Sequence, residues 1–259
     1  MALKEDIELI QGKTYNSILR WETDPIVRKA ITGSGITWPA GTARIEATGH
    51  GLVNGWRCAL TGLKSLPINA LDPNDIKDKE YHQATVISSD IIEFNDVNAS
   101  DFKVWTAGGF LQYNTPVNLS NISARMSIKA KLGEYNLLKC VSITTGIAGD
   151  TKPEAAGTDG GVVWEETTDV ATKEWIAGAT YSVNDVIDTK SLLFLTVGNG
   201  RIAVDNALKT ITRTVSASDI AALTWKKAHY DFEAFTNDAT PVVTLLAQGK
   251  VTVAKENTK

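Results

Sequence analysis

Several features that decide protein class are missing from this sequence of 259 residues. No stretch approaches the roughly 20 uninterrupted apolar residues that a membrane-spanning helix needs. The start of the chain carries Lys4, Glu5 and Asp6 where a secretory signal would need an apolar core. We therefore expect no membrane insertion, and we expect the chain to stay in the cytoplasm of the cell that makes it.

Cysteine is scarce, and the two that occur, Cys58 and Cys140, lie far apart in apolar, strand-like contexts. This pattern favours two buried free thiols over a disulfide or a metal pair. Zinc needs four ligands, and although the chain has three histidines, no Cys-x-x-Cys or His-x-x-x-His spacing places two ligands on one element. We predict no metal site and no cofactor.

A surplus of basic charge is absent as well. The chain has 26 Lys and Arg against 30 Asp and Glu, a formal net charge of −4, so we expect no surface that neutralises nucleic-acid phosphates. No Gly-x-Ser-x-Gly motif occurs and no carboxylate pair stands out. His50 lies between two glycines and could act as a base on a mobile turn, but a structural turn is the favoured interpretation. We predict no catalytic residues and no enzymatic activity.

One group of acidic and amide side chains could bind calcium through oxygen atoms. It consists of Asp72, Asn74, Asp75, Asp78 and Glu80. The glycine of an EF-hand loop is missing from this stretch, and Pro73 favours a solvated turn instead.

Strand patterns dominate what is present. Residues 122–130 alternate strictly, with Ile122, Ala124, Met126, Ile128 and Ala130 on one side and Ser, Arg, Ser and Lys on the other, which predicts a half-buried strand. Short runs rich in Val, Ile, Thr and aromatic residues follow the same logic; they span residues 42–48, 84–87, 91–94, 192–197, 202–205, 210–215, 242–246 and 250–254.

Helix is scarce by comparison. The best helical stretch is 218–223, where Ser216 or Ser218 can cap the first turn. Residues 3–10 fit either a helix or a strand, and we favour a strand. Many short strands at close spacing predict an all-β fold.

Two stretches have the composition of insertions. Residues 33–109 begin and end in glycine-rich turns and contain their own set of short strands, and residues 133–190 hold a stretch rich in Gly, Pro and small residues. The remaining residues are predicted to form strands; they are 1–32, 110–132 and 191–259. We therefore predict a discontinuous β-sandwich host domain with two inserted small β-modules.

The host segments resemble the N-terminal domain of phage baseplate upper proteins. The resemblance rests on residues 10–21, which include IQGKTY and LRW, on 116–128, and on GRIAVD, YDFE and GKVTV at 200–205, 230–233 and 249–253. It implies a non-enzymatic structural protein of a tailed-phage virion, in the tail or baseplate, that contacts neighbouring tail proteins and further copies of itself in a symmetric assembly.

The two inserted stretches resemble small phage modules. GHGL at 49–52, NGWR at 54–57 and TAGG at 106–109 are similar to a β-barrel that phage proteins share with the first catalytic cysteine half-domain of ubiquitin-activating enzymes. Residues 175–187, WIAGATYSVNDVI, are similar to the signature of small chitin-binding modules, with Asn184 where glycine is usual.

That second similarity makes Trp175 and Tyr181 candidate contact residues. Exposed aromatic rings stack on sugars in glycan-binding modules, but a module this small also needs its aromatic residues to form a core. Packing is the favoured interpretation, ahead of contact with a partner protein or a glycan. A glycan- or receptor-binding adhesion module is therefore the alternative function.

Overall fold

The computed structural model describes residues 3–64 and 66–255, and nearly all of its regular structure is β. Two short 3-10 turns, Pro39–Gly41 and Asp78–Glu80, and one helix, α1 (Ala217–Ala221), accompany the strands. The strands are β1 (Leu3–Lys4), β2 (Ile7–Ile10), β3 (Tyr15–Arg20), β4 (Glu22–Ala30), β5 (Ile36–Thr37), β6 (Thr42–Glu46), β7 (Arg57–Thr61), β8 (Asn69–Ala70), β9 (His82–Val86), β10 (Ile91–Asn98), β11 (Phe110–Pro116), β12 (Ile122–Lys129), β13 (Leu137–Ile143), β14 (Gly157–Asp159), β15 (Val162–Glu166), β16 (Val186–Asp188), β17 (Ser191–Thr196), β18 (Ile202–Asp205), β19 (Thr210–Val215), β20 (Lys227–Thr236) and β21 (Val243–Ala254).

The predicted all-β class is confirmed. β18 and β19 coincide with the predicted strands, and residues 3–10 form β1 and β2 rather than a helix. The single helix begins after Ser216, whose hydroxyl accepts a hydrogen bond from the Asp219 amide, as expected of an N-cap. No helix in the described part of the chain is long and apolar enough to cross a membrane.

The last two predicted strands form one continuous strand, β21. Gly249 separates them in the sequence, and a Cβ at this position would lie 1.9 Å from the carbonyl oxygen of Glu5. The glycine therefore marks a close approach of two backbones rather than a turn. At this point β21 pairs in parallel with β1 and β2.

The chain divides into two compact units. The large unit comprises Met1–Leu19, Leu119–Val204 and Ile211–Lys259, and the small unit comprises Arg20–Asn118 and Asp205–Thr210. The small unit is wider than the predicted insertion at 33–109, because β4 and β11 pair with each other and β11 pairs with β7. These two strands, assigned to the host domain on sequence, thus belong to the sheet of the small unit.

A six-stranded sheet is the centre of the large unit, in the order β1-β21-β20-β12-β17 with β2 also on β21. A three-stranded sheet, β18-β19-β3, covers one face, where the Arg213 guanidinium of β19 lies 4.7 Å from the ring centroid of Phe232 on β20. The four-stranded sheet β14-β15-β13-β16, formed by residues predicted to be the second insertion, covers the other face. There the Lys129 ammonium of β12 meets Asp188 of β16.

The expectation that β12 is half-buried is wrong, because both of its faces are covered. Ala124, Met126 and Ile128 are buried as predicted, but Arg125 and Lys129 of the polar face are buried too, with 8% and 1% of their surface exposed. Alternation correctly assigned the residues to two faces. It contained no information about the module that packs against the polar one.

The small unit contains one eight-stranded sheet, in the order β4-β11-β7-β9-β10-β6-β5 with β8 on β7, around a core that includes Trp56, Phe94 and Ile45. The predicted closed barrel is not formed by its described strands, since β4 and β5 remain at opposite edges. β5 has only two residues and is followed at Pro39 by a 3-10 turn. Proline lacks the amide that a longer ladder would need.

Candidate functional site

The four-stranded module of the large unit holds the two candidate contact residues. Tyr181 is buried, and its ring meets Trp164 edge to face with centroids 5.2 Å apart. Its hydroxyl donates to the Glu174 carbonyl at 2.9 Å and accepts from the Ile176 amide at 2.8 Å. Burial raises the pKa of Tyr181 to about 12. The side chain therefore serves the core of the module.

Trp175 is half-buried against the same core. Its indole N–H donates to Asp159 Oδ2 at 3.1 Å, and the other oxygen of that carboxylate accepts from the Gly149 amide at 2.8 Å. The ring is thus held by a loop of its own module. A contact between its remaining exposed surface and a glycan or partner stays a prediction.

The turn after Tyr181 contains a residue other than glycine with a positive φ. Asn184 has a φ of 76°, in the left-handed region that asparagine tolerates better than most residues. Asp185 Oδ2 accepts from the Ser182 amide at 2.7 Å and from Lys173 Nζ at 2.6 Å. Asn184 therefore adopts a backbone conformation that glycine also adopts readily.

Aliphatic side chains, rather than aromatic ones, are exposed at one edge of this module. Ile143 and Ile147 are 45% and 48% exposed. Ile147 pairs with Thr180 in an isolated bridge, and a Cβ at Gly146 would lie 3.7 Å from Ile143 Cδ1 and 3.8 Å from Thr180 Cγ2. Ile143, Ile147 and Thr180 therefore surround Gly146, and we call these four residues the aliphatic edge.

His50 is buried and fully hydrogen-bonded in the small unit. Its Nδ1 accepts from the Leu52 amide at 3.0 Å, so Nε2 carries the proton and donates to the Ser88 carbonyl at 3.0 Å. Its own carbonyl accepts the Tyr113 hydroxyl. Both ring nitrogens thus hold the turn together, which agrees with the structural interpretation.

Asp72 and Glu80 of the acidic cluster at 72–80 bind amides of their own loop, while Asn74 and Asp78 contact Arg28 and Arg57. Asp72 Oδ1 accepts from the Asn74 amide at 2.8 Å, and Glu80 accepts from the Leu71 and Lys77 amides at 3.1 and 2.8 Å. These two amide hydrogen bonds lower the pKa of Glu80. No group of three or more His, Cys, Asp or Glu residues suited to a metal occurs in the part of the chain that the structure describes.

The two cysteines are free and buried, as predicted. Cys58 belongs to the core of the small unit and Cys140 to that of the four-stranded module. Burial raises the pKa of both thiols. Neither has the lowered pKa of a reactive cysteine.

The richest cluster of charged groups was not predicted from the sequence. It lies between β12, β20 and the four-stranded module. Lys129 Nζ is 2.9 Å from Asp188 Oδ2, and the two side chains are each 1% exposed. The ring of Tyr135 covers the ammonium, with its centroid 3.0 Å from Nζ, and the Tyr135 hydroxyl donates to Asp231 Oδ2 at 2.9 Å.

A second charged pair extends this cluster along the same two strands. Arg125 Nη2 is 2.7 Å from Glu233 Oε2, and Arg125 Nη1 donates to the Ala171 carbonyl of the module at 3.3 Å. Strand register makes Arg125 and Glu233 direct cross-strand partners. The sequence places basic residues at 125 and 129 on one face of β12, and acidic residues at 231 and 233 on one face of β20. This pattern predicts that the two strands pair, but it does not predict their contact with the module.

Comparisons with models of protein families, with curated proteins and with solved structures give no match for this chain.

Proposed function

We propose that the chain is a structural component of a tailed-phage virion, located in the tail or baseplate, that acts through protein–protein contacts. The observation that supports this proposal is which side chains of the four-stranded module are bound within it and which are exposed. Tyr181 and Trp175, which suggested sugar binding, are tied to their own module, whereas Ile143 and Ile147 are exposed. Branched aliphatic surface suits a protein partner better than a sugar ring.

The virion assignment depends on the resemblance of the host segments to phage baseplate upper proteins. Those segments supply β1, β2, β3, β12, β17, β18, β19, β20 and β21, which form two sheets of the large unit. A scaffold of this kind can repeat around a tail axis, since symmetric copies present the same surfaces at each position. Contacts with neighbouring tail proteins and with further copies are part of the proposal.

Adhesion to a host glycan or receptor is the second candidate, and the half-buried indole of Trp175 favours it. A ring held by Asp159 is a rigid platform, and rigid aromatic faces bind sugars well. This alternative requires the exposed part of the ring to remain free in the assembled particle.

Cryo-electron microscopy of virions purified from infected cells tests both candidates. We expect symmetric copies in the tail or baseplate, with the aliphatic edge against a neighbouring protein. Absence of the chain from the particle contradicts the main proposal. Copies at a fibre tip with Trp175 facing solvent would support adhesion as the function instead.

A matched pair of variants tests the contact itself. Ile147→Lys places a charge on the aliphatic edge, while Thr158→Lys places one on the exposed strand β14 of the same module. We expect only the first to reduce incorporation into virions, measured by immunoblot of purified particles. Equal incorporation of both variants would exclude the aliphatic edge as the contact.

A further inference from the structure

The Lys129–Asp188 pair is unusual because an amine and a carboxylate meet with almost no water access. Both side chains are 1% exposed and the two atoms are 2.9 Å apart. No acceptor lies at an ordinary hydrogen-bond angle to Lys129 Nζ among the described residues, Asp188 included. A buried charge without full hydrogen bonding carries a large desolvation cost.

The burial of Lys129 makes its uncharged amine easier to reach than that of a lysine in water. Burial lowers the pKa of Lys129, an effect that Asp188 and Asp231 only partly offset. Transfer of the ammonium proton to Asp188 would leave a neutral amine beside a neutral carboxylic acid. That pair is the reactive form for making an amide, since the amine has a free lone pair and the carboxyl group can lose water.

The two oxygens of Asp188 occupy different surroundings. Oδ1 accepts from the backbone amides of Lys190 at 3.1 Å and Asn136 at 3.3 Å. Oδ2 faces Lys129 Nζ and lies 3.5 Å from Ser127 Oγ, which in turn is hydrogen-bonded to Ser191 Oγ. Two amides directed at one oxygen can stabilise the negative charge that forms there when a nucleophile adds to the carbon.

We propose that Lys129 and Asp188 become joined by an intramolecular isopeptide bond. The lone pair of Nζ attacks Asp188 Cγ, and the electron pair of the carbonyl moves onto Oδ1, between the two backbone amides. When this intermediate collapses, the Cγ–Oδ2 bond breaks and Oδ2 leaves as water. Its two protons both come from the original ammonium, so an ammonium and a carboxylate give one amide and one water.

The fold supplies the conditions that this condensation needs. The strands hold the amine and the carboxyl group in contact, which replaces an encounter in solution with a positioned reaction. Tyr135 lies over the amine and the four-stranded module covers the carboxyl group, so water that would hydrolyse the product is excluded. The Ser127 hydroxyl, which is hydrogen-bonded to that of Ser191, lies 3.5 Å from the departing oxygen Oδ2.

Intact-protein mass spectrometry of the purified full-length chain tests the proposal. We expect a mass lower than that of the sequence by one water, and a proteolytic map in which the peptides containing Lys129 and Asp188 are joined. A mass equal to that of the sequence, persisting after prolonged incubation of the folded protein, overturns the proposal.

Two substitutions test the bond, because each should change the mass that the protein loses when the bond forms. Lys129→Arg keeps the positive charge but removes the amine, and we expect it to restore the full mass. Asp188→Asn keeps the shape, and because an amide loses ammonia instead of water, we expect a deficit of one ammonia. A deficit of one water in either variant contradicts the assignment.

The chain contains a matched control. Lys139 Nζ and Asp169 Oδ2 are also 2.9 Å apart, but their side chains are 31% and 53% exposed. We expect this pair to stay unlinked, so Lys139→Arg should keep the deficit of one water relative to its own sequence. Loss of the deficit in Lys139→Arg would contradict the proposed site. None of these results depends on whether the chain belongs to a virion.

Discussion

The two stretches that were predicted to be insertions differ in the interactions that stabilise them. The small unit has its own extensive core around Trp56, Phe94 and Ile45. The four-stranded module has a core of seven buried residues, which include Trp164 and Tyr181. It packs against the six-stranded sheet through charged groups and a small apolar cluster that includes Val186 and Phe194. The first stretch therefore completes its unit with β4 and β11, whereas the second forms a layer on the six-stranded sheet, although the two look alike in composition.

The largest expected effects separate the two cores. Trp56→Ala and Trp164→Ala should each lower the free energy of unfolding by about 3–5 kcal/mol, as is usual for a buried tryptophan. Hydrogen exchange should show that the first opens only residues 20–118, whereas the second also loosens β12 and β20. An equal loss of protection from exchange across the whole chain in both variants would contradict the difference between the two cores.

Asp188→Ala should cost about 3–5 kcal/mol, because it removes the buried partner of Lys129, whether linked to it or not, and leaves two amides without an acceptor. The double variant Lys129→Met/Asp188→Leu should recover part of this stability, since it buries no charge. Urea unfolding of the two variants measures the difference. Equal stability of the two would show that the four-stranded module does not depend on charge pairing.

A smaller effect should follow from the Tyr181 hydroxyl. Tyr181→Phe removes the bonds to the Glu174 carbonyl and the Ile176 amide, and the loss of these part-buried hydrogen bonds should cost about 1 kcal/mol. The change should also increase protease cleavage near Trp175. An unchanged unfolding midpoint would mean that solvent replaces both bonds without loss.

The smallest effect belongs to the exposed pair of Lys139 and Asp169. Asp169→Asn should cost less than about 1 kcal/mol, as for other surface ion pairs. The Lys139 hydrogen bond lowers the pKa of Asp169, so its contribution is present above the pKa of the unfolded chain and is lost as pH falls through the lower folded value. Stability of Asp169→Asn should therefore fall less between neutral and acidic pH.

Local sequence signals predicted most of the strands correctly because they depend on neighbouring residues. Alternation at 122–130 separated the two faces of β12, and Ser216 marked the start of the helix. The closed barrel at 33–109 was wrong because closure depends on which distant edges meet. The cluster around Lys129 was missed for the same reason, since Asp188 comes from another sheet.

The sequence by itself determined the all-β class, the positions of most strands and the polar or apolar character of each strand face, because these follow from side-chain size, branching and a period of two. The tertiary structure alone decided what each face meets. Packing of the module onto β12 turned Lys129 from a predicted surface lysine into a buried partner of Asp188. A period of two assigns a side chain to a face, but only the arrangement of sheets brings an amine and a carboxylate together without water.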